Sequence, residues 1–347
     1  MINNKYIILG IESSCDDTSV AFVRSDKKIL AHKTRNQNIE HSPYKGVVPE
    51  IAARSHIKFL SQLLKDIITE SNIELTQITA VSATAGPGLI GGIIVGTMFG
   101  KGLSASLNKP FIAVNHLEGH ALTVRLTDKV EFPYLLLLIS GGHCQFLSVF
   151  GVRKYKLLGQ TLDDSVGESF DKVAKMLDLE YPGGPIIEKL ALKGKAIYKL
   201  PLPLVKDTKN CNLSFSGLKT AVKNLIDSLF PLTNEKIYDI CASFQETVFN
   251  ILSKKSLIAI SKFKKQVFGN NNNIFVLAGG VAANLALKKN FEKITQENDF
   301  ILKVPPIDLC TDNAAMIAWA GIEMYNNRLV SDLNFEPRFS WPLDSNI

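Results

Sequence analysis

The chain has 347 residues, 46% hydrophobic and 21% charged, with a formal net charge of +6. That length is more than one core usually holds, so two domains are expected, and the composition excludes a disordered or low-complexity chain. The mild positive charge permits an acidic partner such as RNA without requiring one.

The N-terminal stretch MINNKYIILGIE has too short an apolar run for a signal peptide, and it lacks the Arg- and Ser-rich pattern of a transit peptide. The five cysteines (Cys15, Cys144, Cys211, Cys241 and Cys310) are scattered, and none pairs as Cys-x-x-Cys. A reduced, cytoplasmic compartment is therefore expected. From Tyr6 to Val23, YIILGIESSCDDTSVAFV reads as an apolar strand, a turn of small and acidic residues, and a second strand, which predicts a β-hairpin. IAARSHIKFLSQLLKDIITE (Ile51 to Glu70) carries apolar residues at helical spacing.

AGPGLIGGIIVGTMFGKGLSASL (Ala85 to Leu107) resembles a membrane span in its apolarity, but Lys101 interrupts it and glycines crowd it. Gly92, Gly96 and Gly100 fall on one helical face, which lets a backbone approach closely. It is read as a soluble helix after a tight Gly-Pro-Gly turn, packed on a sheet or a partner helix, with no membrane.

A second hairpin is predicted at Tyr134 to Phe150, YLLLLISGGHCQFLSVF, and a helix at Ala242 to Ile260. At Ile274 to Phe291, IFVLAGGVAANLALKKNF, an apolar strand meets Gly-Gly and a helix begins, a geometry that offers backbone N–H groups to phosphate or ribose. A final helix is expected over Asn313 to Met324. Any one of these glycine turns alone reads equally as a plain turn. Together they follow apolar strands and expose small residues where α/β folds place ligands. The hairpin recurring near Tyr6 and Tyr134 suggests two similar halves, each opening with a phosphate-type turn, and a nucleotide in a cleft between lobes.

NHLEGH, Asn115 to His120, places His116 and His120 on the same face of a helix one turn apart, a spacing that suits two imidazoles on one metal. A carboxylate is the usual third ligand, and Asp312 and Asp16 are the candidates. The alternatives are an exposed histidine pair, and for Asp312 an N-cap on the following helix. The motif is not that of a zinc protease. Glu118 does not follow the first histidine directly and would lie about 200° round the helix from it, pointing away from a metal.

The segments GIESSCDDTSVAF, NHLEGH, ISGGHCQF, GESFDKVAKMLDLEYPGGP, FSGLKTAV, AGGVAANLAL and CTDNAAMIAWAG occur in one order over nearly the whole chain. In these the sequence closely resembles the bacterial form of the tRNA N6-adenosine threonylcarbamoyltransferase family, whose members were once labelled O-sialoglycoprotein endopeptidases. The departures are small: Cys144 stands where Thr is common, and AGPG precedes the glycine-rich helix.

The resemblance implies an α/β, two-lobed fold of the actin-like and sugar-kinase-like type, with duplicated ribonuclease-H-like lobes and an interlobe cleft. The N-terminal lobe is expected to hold residues 1–115 with about 322–347, and the C-terminal lobe 116–321. It implies transfer of a threonylcarbamoyl group from threonylcarbamoyl-AMP to N6 of adenosine 37 in tRNAs that read codons starting with A, releasing AMP. By position, His116, His120 and Asp312 match the metal ligands, with iron(II) the first candidate and zinc or manganese the alternatives. Ile139, Ser140, Gly141, Gly142 and His143 match the substrate loop, and Asp171, Gly184 and Asn284 match further nucleotide and acyl contacts. Asp16 and Ser14 are expected to complete the catalytic site. The implied partners are tRNA, a smaller paralogous subunit and a P-loop ATPase, docked through helices such as Ile51 to Glu70 and Gly88 to Leu107.

The donor is a mixed carbamoyl–phosphate anhydride and already activated. The chemistry therefore needs a phosphate cradle, a polarised carbonyl and a positioned amine rather than a strong nucleophile. A basic surface should meet the tRNA. Ala191 to Lys223 carries Lys193, Lys195, Lys199, Lys206, Lys209, Lys219 and Lys223 against Asp207 alone, although a solvated lysine-rich face reads the same way. Two other functions stay open at this level. A metallopeptidase would use the histidines without the glycine loops, and a non-catalytic nucleotide-binding scaffold would use the loops without the histidines.

Overall fold

The computed structural model describes residues 5–44, 46–267 and 273–344; residues 1–4 and 345–347 of the termini read above lie outside it. In chain order, β1 (Ile7–Glu12), β2 (Asp17–Arg24) and β3 (Ile29–Asn36) precede α1 (Asn38–His41) and α2 (Pro49–Ser71). Then come β4 (Ala80–Gly86), α3 (Ile90–Leu107), β5 (Phe111–Asn115) and α4 (His116–Thr127). The second half has β6 (Tyr134–Ile139), β7 (Cys144–Gly151), β8 (Lys154–Gln160), α5 (Val166–Met176), α6 (Gly183–Ala191), α7 (Ser216–Leu229) and α8 (Asn234–Gln266). It continues with β9 (Ile274–Ala278), α9 (Leu285–Glu297), β10 (Ile301–Lys303) and α10 (Ile307–Cys310), before α11 (Ala314–Asn326) closes the series.

Two compact units result, one from Met1–Lys129 with Asp312–Ile347, the other Val130–Thr311. The expected lobes divided at 115/116 and 321/322. In the structure α4 and all of α11 belong to the first unit, because both pack on its strands.

The two sheets repeat one plan. The first runs β3-β2-β1-β4-β5, the second β8-β7-β6-β9-β10. In each, the opening three strands form an antiparallel meander, and the first strand pairs in parallel with the strand that follows the first crossover. The hairpins read at Tyr6 and Tyr134 are the equivalent β1–β2 and β6–β7, so the inferred duplication extends to whole sheets.

Continuous apolar runs become interior strands: β6 and β9 lie inside the second sheet and are buried along their full length. β3, at the edge of its sheet, is half-buried or buried over Ile29–Lys33 and exposed from Thr34 to Asn36. Leu9, Ile11 and Phe22 pack with Phe59, Leu60 and Leu64 of α2 in the first core. In the second, Leu135, Leu137 and Phe146 pack with Phe244, Val248 and Leu252 of α8.

The glycine face of α3 meets its own unit. A Cβ built at Gly92 would lie 2.4 Å from the Ser13 carbonyl oxygen, and one at Gly96 would lie 2.0 Å from Ser13 Oγ. Of the two packing modes read from the sequence, the sheet side is the one found. By length and composition α3 is the one helix among the described residues long and apolar enough to cross a membrane. α11 lies as closely on the other side, because β1 carries a glycine there: a Cβ at Gly10 would sit 2.2 Å from the Ala314 carbonyl oxygen.

Candidate metal centre and substrate loops

β5 ends at Asn115 and α4 starts at once. The Asn115 carboxamide oxygen accepts from Leu117 N at 2.9 Å and caps the helix, while its Nδ2 donates to the Trp341 carbonyl at 2.8 Å. His116 is thereby the first residue of α4, at the carboxyl end of the parallel strands β1, β4 and β5. One turn later His120 faces the same way. The two rings meet edge to face with centroids 4.8 Å apart.

Asp312 arrives from the start of α11. Its Oδ1 is 3.0 Å from His120 Nε2 and 3.4 Å from His116 Nε2. Asn313, not Asp312, caps that helix by accepting from Met316 N at 2.9 Å. The capping alternative for Asp312 is thus taken by its neighbour, and its carboxylate is left to the histidines.

The ligand atoms of His116, His120 and Asp312 all lie within 4.8 Å of one another, the one such group among the described residues. Two imidazole nitrogens and a carboxylate oxygen, nearly enclosed by protein, suit a divalent transition metal with positions left for a substrate oxygen. The donor set therefore fits the expected ion. Glu118 is buried on the same helix and lies outside the group, as its place in the motif predicts.

Behind His116 the sequence reading missed a residue. Glu12, fully buried at the end of β1, sets Oε2 3.1 Å from His116 Nδ1. The same carboxylate accepts from Thr84 Oγ1 at 2.5 Å and from Ser14 N at 2.6 Å. The signal was present: a carboxylate inside the apolar strand IILGIE cannot be buried without partners. Burial works against the charged ring of His116, but Asp312 and Glu12 outweigh it and push its pKa well above the usual histidine range. Burial likewise opposes the Asp312 carboxylate, yet His116 and His120 hold it far below the usual range.

The predicted catalytic pair separates. Ser14 is buried with Oγ 3.1 Å from His116 Nδ1, on the side of the ring away from Asp312. The Asp16 carboxylate is not in the metal group; its main-chain oxygen accepts from Gln37 N at 3.1 Å. Next to it, burial and then the charges of Asp312, Asp16 and Glu12 push Asp17 up to about 8.

In the second unit, Ile139 ends β6, and Ser140 to His143 make the turn into β7. Ser140 N donates to the His143 carbonyl at 2.8 Å and Ser140 Oγ accepts from His143 N at 3.1 Å. Two supports hold this loop. Ser165, the N-cap of α5, donates to the Gly141 carbonyl, and a Cβ at Gly167 would lie 2.8 Å from Gly141 Cα. Gly279, with φ +92°, turns beneath it, where a Cβ would lie 2.4 Å from the Ile139 carbonyl oxygen.

Gly141 and Gly142 are exposed with open space where side chains would be. Asp171 Oδ1 accepts from Gly183 N at 2.8 Å and holds the start of α6, where Gly184 also borders open space. Asn284 caps α9 through Leu287 N at 2.8 Å, with its amide 3.1 Å from Gln245 Oε1. A four-residue 3-10 turn, Gly280–Ala283, starts on the second glycine of the pair and separates β9 from that helix. Of the lysine span, Lys219 pairs with Asp164 at 2.8 Å, while Lys195, Lys199, Lys206, Lys209 and Lys223 are exposed.

Two sheets that repeat one plan define a protein of the actin-like fold class, here with a His-His-Asp group in the first unit. Solved structures agree on the fold. HypF from T. kodakarensis superposes with a TM-score of 0.61 at 14% identity, over 93% of this chain and 48% of that one. The activator of the 2-hydroxyisocaproyl-CoA dehydratase from Clostridium difficile, with bound ADPNP, gives 0.51 at 14% identity, over 94% and 98%.

The sequence relatives are far closer. The profile of the tRNA N6-adenosine threonylcarbamoyltransferase family matches residues 28–319. Enzymes of that name from Rickettsia bellii and Rickettsia typhi are 59% and 52% identical, over 97% of this chain and 98% and 99% of theirs. The chain belongs to the tRNA N6-adenosine threonylcarbamoyltransferase family and is a tRNA-modifying acyltransferase.

Proposed function

We propose that this chain moves the threonylcarbamoyl group of threonylcarbamoyl-AMP onto N6 of adenosine 37 in tRNAs reading codons that begin with A, with AMP as the leaving group. The observation that carries the reading is the convergence of His116, His120 and Asp312 within 4.8 Å, in a chain of this family. A divalent ion held there, iron(II) first and zinc or manganese as alternatives, supplies Lewis-acid polarisation of a donor oxygen.

The remaining work belongs to the chain. The N–H groups of the exposed residues Gly141 and Gly142, on a turn braced by Ser165 and Gly279, are assigned to the donor phosphate. The open space at Gly184 admits a nucleoside against the backbone, and Asp171 is assigned to its ribose. Ile139 and His143 flank the two glycines of that turn, and Asn284, which caps α9, is assigned a further donor contact. Ser14 and Asp16 are assigned supporting roles on the β1–β2 turn, Ser14 through the His116 ring. A peptidase is disfavoured because Glu118 is buried outside the ligand group and so cannot hold an attacking water.

The lysines exposed over residues 195–223 are assigned to tRNA phosphates, and the chain to the cytoplasm. A smaller paralogous subunit and a P-loop ATPase are assigned as partners. Ile57 of α2 and Ile90, Ile94 and Met98 of α3 are exposed, the last three at helical spacing opposite the glycine face. A partner thus meets the aliphatic face, since the glycine face is already covered.

The deciding experiment substitutes His116 and His120 by alanine and measures threonylcarbamoyladenosine in tRNA by mass spectrometry. The double variant is expected to fold and to form no product. Full modification by it removes the metal centre from the mechanism.

A further inference from the structure

We propose that Glu12 is a positioning residue for the metal centre: its carboxylate keeps the His116 proton on Nδ1 and so presents the Nε2 lone pair to the ion. The inference rests on the metal-centre reading given above and adds to it a residue that touches neither the ion nor the substrate.

The geometry is specific. His116 Nε2 is the nitrogen turned to Asp312, at 3.4 Å, while Nδ1 is turned to Glu12 Oε2 at 3.1 Å. A ring nitrogen that binds a metal must be free of its proton, so the proton of a neutral imidazole has to reside on the other nitrogen. Which nitrogen carries it is set by what that second nitrogen meets. Glu12 is fully buried, and three donors converge on it: Ser14 N–H on Oε1, and Thr84 O–H and His116 Nδ1–H on Oε2. An ionised carboxylate has no proton to give, so at this position it can only accept. Ser14 Oγ, 3.1 Å from Nδ1, can donate as readily as it accepts and does not decide the tautomer.

Glu12→Gln keeps the shape and reverses this logic. With its carbonyl oxygen on the fixed main-chain N–H of Ser14, its NH2 must point at Thr84 and His116. That amide donates to Nδ1, moves the ring proton to Nε2, and places it where the ion binds. The same shape with the wrong polarity separates positioning from packing.

The test compares wild type and Glu12→Gln by zinc affinity, using chelator competition, and by thermal unfolding of the metal-free protein. The expected result is a zinc Kd weakened by about 10- to 100-fold, with cooperative unfolding retained. A double-mutant cycle follows: in a His116→Ala background, Glu12→Gln is expected to have no further effect on Kd. A Kd unchanged by Glu12→Gln, or an equal loss in both backgrounds, overturns the proposal. Nitrogen-15 NMR of zinc-loaded wild type needs no variant and stands even if Glu12→Gln does not fold. It is expected to show His116 protonated at Nδ1, and ligation through Nδ1 overturns the proposal. Wild type that binds none of zinc, iron(II) or manganese(II) overturns the metal centre itself and this role with it.

Discussion

Two substitutions in one helix should move stability in opposite directions. Gly92 and Gly102 both lie within α3, so replacing either by alanine gains about 1 kcal/mol of helix propensity. Their surroundings differ. A Cβ at Gly102 meets nothing within 4 Å, whereas one at Gly92 meets the Ser13 main-chain oxygen at 2.4 Å and the His56 ring at 3.0 Å. That oxygen belongs to the turn carrying Ser14 and cannot move alone: Ser13 Oγ donates back to the Gly92 carbonyl at 2.9 Å. Overpacking of this kind costs about 1–3 kcal/mol, and more where backbone must shift. Gly102→Ala should therefore stabilise by about 1 kcal/mol while Gly92→Ala destabilises by about 1–2 kcal/mol net, a spread of about 2–3 kcal/mol. In thermal unfolding that separates the two midpoints by roughly 4–12 °C for a unit of this size. The assay is a thermal or urea melt of each variant beside wild type. Equal midpoints for the two alanine variants would refute the claim that the glycine face is closed against the β1–β2 turn.

Charge reversal at Lys199, Lys206 and Lys209 together should weaken tRNA binding and flatten its salt dependence by roughly one unit of slope per lost phosphate contact. A salt titration checks this, and donor binding should be unchanged. Ile94→Glu with Met98→Glu should abolish binding of a partner subunit in gel filtration while leaving the melting temperature within about 1 °C, because both side chains are exposed. The raised pKa of His116 means the metal-free centre holds a proton that an ion must displace. Apparent metal affinity should therefore rise with pH below that pKa, by up to about tenfold per unit, as measured by chelator competition at several pH values.

Much of this was legible in the sequence because local patterns sufficed. Apolar runs broken by small residues gave both opening hairpins, and the one-turn spacing of His116 and His120 gave a shared face. Asp312 could be named as a ligand but not placed, because its contact with His120, 192 positions earlier, is made by tertiary packing. The resemblance supplied what periodicity could not. Glu12 falls inside the predicted hairpin without a role of its own, since nothing local shows that His116 closes over it. The edge strand β3, ILAHKTRN, is too polar to stand out beside β1 and β2. The glycine face was assigned as a surface for close approach, but the sequence left open which backbone approaches it, and only the Ser13 contacts decide. Asn284 was assigned to ligand binding from its motif, while its side chain caps α9, a role that any Asn before an apolar helical run can take.

The proposed reaction is acyl transfer to tRNA from a centre built on His116, His120 and Asp312. It is tested by supplying metal-loaded chain and the proposed partner subunits with threonylcarbamoyl-AMP and unmodified tRNA, and counting products by mass spectrometry. One threonylcarbamoyladenosine is expected per AMP released, and none when His116 and His120 are alanine. AMP release without modified tRNA, or modification undiminished in the histidine variants, would contradict it.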